Sequence, residues 1–312
     1  MSAPEVRFVE AAGVRLRVLL DAAAAAGSGS TQRSLLVLHG FTGDAESMAC
    51  VTKGLGARAR VARLELIGHG ESEAPTAVVP YAMSACAEQI VAAADGLGLE
   101  RPHLLGYSMG GRAALAAAVS APDRFASLVL VGASAGIEEP EAREERIAAD
   151  RDLAHRIESG GVERFVEAWM AQPLFASQAR LGEGALSRAR AQRLRNRPHG
   201  LANSLRGMGT GAQAPLHDRL PGLDLPVLLV VGEEDAKFRA IAASLGRLLP
   251  DARVCVLPEA GHAAHLEAPE RFAEVVSDFL ARVDARDRSA GRATHEGPRG
   301  DPGRGPGEGG RR

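Results

Sequence analysis

The sequence predicts an α/β protein, a mostly parallel, doubly wound sheet with a helical lid inserted after its sixth strand. Three observations carry that expectation. Short apolar runs at 34–38 and 226–231 alternate with helical periodicity, as strands buried on both faces should. The alternation stops after Gly132 and resumes at Pro226; from Glu138 to about 214 there are only amphipathic, arginine-rich helical segments. In Leu104-Leu105-Gly106-Tyr107-Ser108-Met109-Gly110-Gly111-Arg112 a strand turns abruptly into an alanine-rich helix, with a serine bracketed by glycines.

Taken in order, residues 6–10 and 14–20 read as two strands turned at Gly13, then an exposed Ala/Gly/Ser loop over 21–30. Strand 34–38 ends in His39-Gly40-Phe41-Thr42-Gly43, and Asp44 can cap the helix that comes next. Strand 60–66 closes in Gly68-His69-Gly70-Glu71-Ser72, and 81–97 has helical spacing. Next come strand 102–106, helix 109–120 and strand 126–131, the sixth. The lid is expected over about 134–215. Strand 226–231, a helix near 236–248, strand 253–257 and a helix at about 269–283 complete a domain ending at residue 286. From Asp287 to Arg312 the chain is rich in Gly, Arg and Pro with almost no apolar residue, the composition of a disordered tail.

Composition narrows the function. With 46% hydrophobic and 24% charged residues the chain can bury a sizeable core. A net charge of -2 gives no reason to expect nucleic acid or an anionic membrane as partner. No apolar run approaches the ~18 residues of a membrane span, and the first residues lack the basic-then-apolar pattern of a signal peptide. Cys50, Cys86 and Cys255 are odd in number and widely spaced, which suits reduced thiols in a cytoplasmic protein.

The Gly-x-Ser-x-Gly turn is the pattern of a nucleophile elbow, in which Ser108 stands above the sheet edge. A serine hydroxyl reacts only when a histidine takes its proton, and a carboxylate must fix that histidine's tautomer. The chain order Ser, Asp, His is met by Asp235, after strand 226–231, and His262, after strand 253–257. Glu233 and Glu234 compete with Asp235, and His265 competes with His262, as does a His262/His265 metal pair. The amides of Met109, after the nucleophile, and Phe41, in the His-Gly loop, are the expected oxyanion donors. Together these features define an α/β-hydrolase fold with no metal or cofactor called for.

Several stretches are more particular than the fold: Leu38-His-Gly-Phe-Thr-Gly43, Gly106-Tyr-Ser-Met-Gly-Gly-Arg112, Gln172-Pro-Leu-Phe-Ala-Ser177, 200–211, Gly232-Glu-Glu-Asp-Ala-Lys-Phe238 and Ala260-Gly-His-Ala-Ala-His265. Over roughly 33–282 the chain resembles the 2-succinyl-6-hydroxy-2,4-cyclohexadiene-1-carboxylate synthases of menaquinone biosynthesis. The resemblance implies a lyase that eliminates pyruvate from a small polycarboxylate, with Ser108 as base. It also implies substrate-binding roles for Arg112, Arg146 and Arg195, with Arg193 an alternative to the last, and pocket-lining roles for Tyr107, Trp169 and Phe175. The chain departs from the family at Leu64-Glu65-Leu66-Ile67, where many members carry Asp and Pro. A serine hydrolase of esters or carbon–carbon bonds on the same triad, and a non-catalytic binding protein, are the competing expectations.

Overall fold

The computed structural model describes residues 3–21, 33–55 and 60–295, with the last six as backbone only. Eight strands form one sheet: β1 (Glu5–Ala11), β2 (Val14–Leu20), β3 (Ser34–Leu38), β4 (Arg60–Leu64), β5 (His103–Tyr107), β6 (Ser127–Val131), β7 (Val227–Gly232) and β8 (Ala252–Leu257). Their order is β1-β2-β4-β3-β5-β6-β7-β8, with β1/β2 and β2/β4 antiparallel and every other pair parallel. The chain steps from β3 to β4 on one side and then to β5 on the other. Strand order therefore reverses at the β3/β5 pair, and a crevice opens beyond the carboxyl ends of those two strands.

Helices cover both faces because β3, β5, β6 and β7 are apolar all round. On one face α1 (Ala49–Leu55) and the last helix pack Val51, Leu55, Phe272 and Val276 against Leu35, Val129 and Val230. On the other, α2 (Met83–Gly96) and α3 (Met109–Ser120) pack Ile90, Ala93, Ala113 and Ala117 against Leu36, Leu104 and Leu128. The lid comes after β6 as expected: α4 (Pro140–Met170), broken at Gly161, then a 3-10 segment (Pro173–Leu181), α5 (Glu183–Arg193) and α6 (Pro198–Met208). It has its own small core of Ala154, Ile157, Phe165, Val166 and Leu201. The chain re-enters the sheet at β7, continuing through α7 (Ala236–Leu248), β8, the single turn α8 (Ala264–Glu267) and α9 (Pro269–His295).

Several boundaries shift from expectation by a residue or two, and two of the differences have a visible cause. Strand β4 ends at Leu64, because Glu65 turns inward: its Oε1 accepts from Arg17 at 2.8 Å and its Oε2 from the Glu71 amide at 2.8 Å. The family departure at this position is thus a buried carboxylate that shapes the 68–72 loop. Helix α9 runs past residue 286 through His295, so the expected tail does not begin at Asp287. Arg286 pairs with Asp251 and Asp287 with Arg33, and the stretch 287–295 contains no proline to stop the helix. Residues 22–30 of the expected loop and 296–312 of the expected tail lie outside the described residues.

Candidate active site

The reversal point of the sheet places two loops side by side, His39–Asp44 after β3 and Ser108 after β5. Ser108 takes φ 51° and ψ −111°, a left-handed conformation that costs a residue with a Cβ about 1–3 kcal/mol. Its amide donates to the Val131 carbonyl at 2.8 Å. Glycine is demanded on either side by close approach: a Cβ on Gly106 would lie 2.3 Å from the Gly110 oxygen, and one on Gly110 would lie 2.4 Å from the His39 oxygen.

Ser108 Oγ lies 3.0 Å from His262 Nε2, and His262 Nδ1 lies 2.7 Å from Asp235 Oδ2. With Nδ1–H donating to the carboxylate, Nε2 is free to accept the serine proton. Asp235 also caps α7, its Oδ1 accepting from the Phe238 amide at 3.2 Å, so helix and imidazole hold the carboxylate from two sides. The His262 loop is tied down by buried Glu267, which accepts from the Gly261 and Ala263 amides. The rivals sit elsewhere. His265 is buried against Tyr107 and Phe272, and burial pushes it down to about 3. Glu234 pairs with Arg180, and Glu233 accepts from the Glu259 amide.

The loop carrying Phe41 is fixed through a peptide plane. The Leu66 amide donates to His39 Nε2 at 3.0 Å, so the proton sits on Nδ1 and is donated to the Gly40 carbonyl at 2.8 Å. The Gly43 amide reaches the same oxygen at 2.9 Å. In a trans peptide the N–H points away from the C=O, so pinning the Gly40 oxygen fixes the direction of the Phe41 N–H. Among the described residues neither the Phe41 nor the Met109 amide has a hydrogen-bond acceptor, and both residues line the cavity beside Ser108.

That cavity, of about 260 Å³, lies between sheet and lid. Tyr107, Trp169 and Phe175 line it, as expected, and so do Arg112 and Arg146. Arg195 does not. Its guanidinium turns to Asp44 at 2.6 Å and stays half exposed, whereas Arg193, at the end of α5, lines the cavity. Two residues apart on a helical turn, the pair cannot face the same way. Arg112 is buried and donates to Gln213 Oε1 at 2.8 Å. Burial, reinforced by the nearby Arg146 charge, pushes it down to about 10, still charged at neutral pH. Burial lowers Arg193 as well. Arg146 Nε donates to Asp150 Oδ1 at 2.9 Å, and burial raises the Asp150 carboxyl.

Lys237, Asp150 and Gln213 were not anticipated as site residues. Lys237 lines the cavity and carries a signal in retrospect, being one of only two lysines in the chain and two residues beyond Asp235. Asp150 stands one turn after Arg146 on α4, but an acidic residue in a charged helix gives no sequence signal. Three carboxylates, Asp44, Glu46 and Glu65, approach within 4.8 Å of one another outside the cavity. Arg17 and Arg195 neutralise them at 2.6 to 2.9 Å, which makes the cluster an ion-pair network.

The alpha/beta hydrolase fold model matches residues 33–269. A Bacillus subtilis (strain 168) protein, provisionally named 2-succinyl-6-hydroxy-2,4-cyclohexadiene-1-carboxylate synthase, is 41% identical over 81% of this chain and 92% of its own. The chain belongs to that synthase family. A member from Salmonella agona (strain SL483), with the same name unqualified, is 32% identical over 79% of this chain and 93% of its own. The solved structure of MenH from S. aureus superposes with a TM-score of 0.79 at 30% identity, covering 86% of this chain and 98% of that one. The likeness spans both sheet and lid, and the charged walls set the question of what the cavity holds.

Proposed function

We propose that this protein is a lyase that eliminates pyruvate from 2-succinyl-5-enolpyruvyl-6-hydroxy-3-cyclohexene-1-carboxylate, giving 2-succinyl-6-hydroxy-2,4-cyclohexadiene-1-carboxylate. The observation that carries the reading is a Ser-His-Asp relay opening into a cavity walled by Arg112, Arg146, Arg193 and Lys237. The substrate bears three carboxylates, and guanidinium groups match them with planar, permanently charged forks. Ser108 removes the ring proton and passes its own proton to His262, whose cation Asp235 stabilises. The Phe41 and Met109 amides hold the enolate-like oxygen that develops, the carbon–oxygen bond breaks, and the leaving enolate of pyruvate takes the proton held by His262, which restores the relay. The elimination neither oxidises nor reduces the substrate, so base, oxyanion donors and cationic anchors suffice. Among the described residues no helix is long and apolar enough to cross a membrane, and the free cysteines support placing the reaction in the cytoplasm.

The test is to supply the enolpyruvyl substrate and monitor pyruvate with a coupled lactate dehydrogenase assay. Wild-type protein should release pyruvate and Ser108→Ala should not. Turnover of a p-nitrophenyl ester through a trapped acyl-Ser108, without pyruvate release, would instead assign the competing hydrolase reading.

A further inference from the structure

At the end of α5 and in the segment joining it to α6, two side chains reach one carbonyl of the oxyanion loop, beside the Arg195–Asp44 ion pair. Gln192 Nε2 donates to the Thr42 carbonyl at 3.0 Å, and Asn196 Nδ2 donates to the same oxygen at 2.9 Å. Both side chains are buried. Asn196 uses its other end as well, Oδ1 accepting from the Gly70 amide at 3.2 Å, so it bridges the loop after β3 and the 68–72 loop after β4. Thr42 itself sits at φ 68°, in the left-handed region that a threonine leaves unless its surroundings hold it. The next residue back, Phe41, carries the amide proposed above as an oxyanion donor and lines the cavity beside Ser108.

The loop is therefore fastened at both ends by different parts of the molecule. The sheet side, through His39, holds the Gly40 carbonyl; the lid holds the Thr42 carbonyl. Remove the lid's two amides and a buried carbonyl loses both donors, while the strained Thr42 loses what keeps it in place. Arg193, between Gln192 and Asn196 in sequence, lines the cavity.

We propose that Gln192 and Asn196 are positioning residues that complete the oxyanion hole from the lid, so that the hole is formed only while this lid segment is seated. Arg193 on the same turn then links engagement of an anionic ligand to the arrangement of the hole. The inference rests on the proposed role of the Phe41 amide and not on the identity of the substrate.

Two variants test it, Gln192→Met, which removes one donor at similar size, and Asn196→Asp, which keeps the acceptor for Gly70 but replaces the donor facing Thr42. Thermal unfolding establishes that each is folded, and should Asn196→Asp not fold, Gln192→Met carries the test. Two rates are then compared with wild type: kcat for pyruvate release, and the rate at which a fluorophosphonate labels Ser108, a reaction that needs the same hole but none of the substrate's carboxylates. The expected result is a parallel loss of about tenfold to a hundredfold in both rates, with KM within about twofold. Unchanged rates, or a loss confined to KM, would overturn the proposal, and so would a wild-type Ser108 that resists the probe, since no working hole would then exist to position. If wild type labels and the variants label slowly but no pyruvate forms, the reaction assignment fails and the clamp stands.

Discussion

The floor and the ceiling of the cavity are built on different principles. On the floor, Ser108, Asp235 and His262 stand on tight loops directly after β5, β7 and β8, and each loop is fixed by its own backbone hydrogen bonds or by Glu267. On the ceiling, Arg146 and Arg193 belong to α4 and α5, whose placement depends on how the lid's small core packs, with Ile157 and Val166 from α4 inside it and Leu194, just after α5, against it. Position on the floor comes from local turn chemistry. Position on the ceiling comes from tertiary packing, and two residues along the chain exchange a cavity residue for a surface ion pair.

The sharpest way to break that contrast is to remove the base. Ser108→Ala should lower kcat by about 10⁴-fold or more while leaving the melting temperature unchanged or slightly raised, measured by pyruvate release and calorimetry. Next in size is an attack on the floor's packing. Gly110→Ala sets a methyl group 2.4 Å from the His39 oxygen and 2.7 Å from the Leu38 oxygen, so something in the backbone must shift. A loss of about 3 kcal/mol is expected in urea unfolding, whereas Gly184→Ala in the lid, on an exposed face of α5, should cost nothing measurable.

The ceiling is tested by comparing neighbours. Arg193→Ala should raise KM by about tenfold to a hundredfold, while Arg195→Ala should leave KM within about twofold and act on stability through buried Asp44. The reverse outcome would restore the expectation from family resemblance. A pH dependence of stability is expected as well, confined to acid conditions. Burial pushes His69 and His265 down from 6.5 to about 3, so between those values the unfolded chain binds protons that the folded chain refuses. Stability should be fully present above pH 6.5 and fall as the medium is acidified toward pH 3, by about 1.4 kcal/mol per histidine per pH unit. Melting curves recorded across that range check it.

Most of this architecture is legible in the sequence. Strands buried on both faces announce themselves as unbroken Val/Leu runs, and the elbow is written in two glycines whose necessity is steric. The triad carboxylate is distinguishable from Glu233 and Glu234 only through its place at the start of α7, where Asp235 serves as cap and orienter at once. What stays hidden depends on contacts between distant segments. Glu65 looks like a departure and proves to be the anchor of its loop; Gln213 and Asp150 have no motif; the choice between Arg193 and Arg195 lies in the lid's rotation. The end of α9 is hidden for another reason. Composition marks 287–295 as tail, but ion pairs to Arg33 and Asp251 sit at its start and no proline interrupts it.

The crowding around Gly110 also bears on how such an enzyme can diverge. Where a single methyl group has no room, the nucleophile, the adjacent helix and the strand beneath them can change only together, so drift there is nearly forbidden. The lid side chains that line the cavity, Arg146 and Arg193 among them, face no such restriction, because they meet an open space. New ligands should accordingly be acquired by rewriting the roof, with the machinery under it inherited whole.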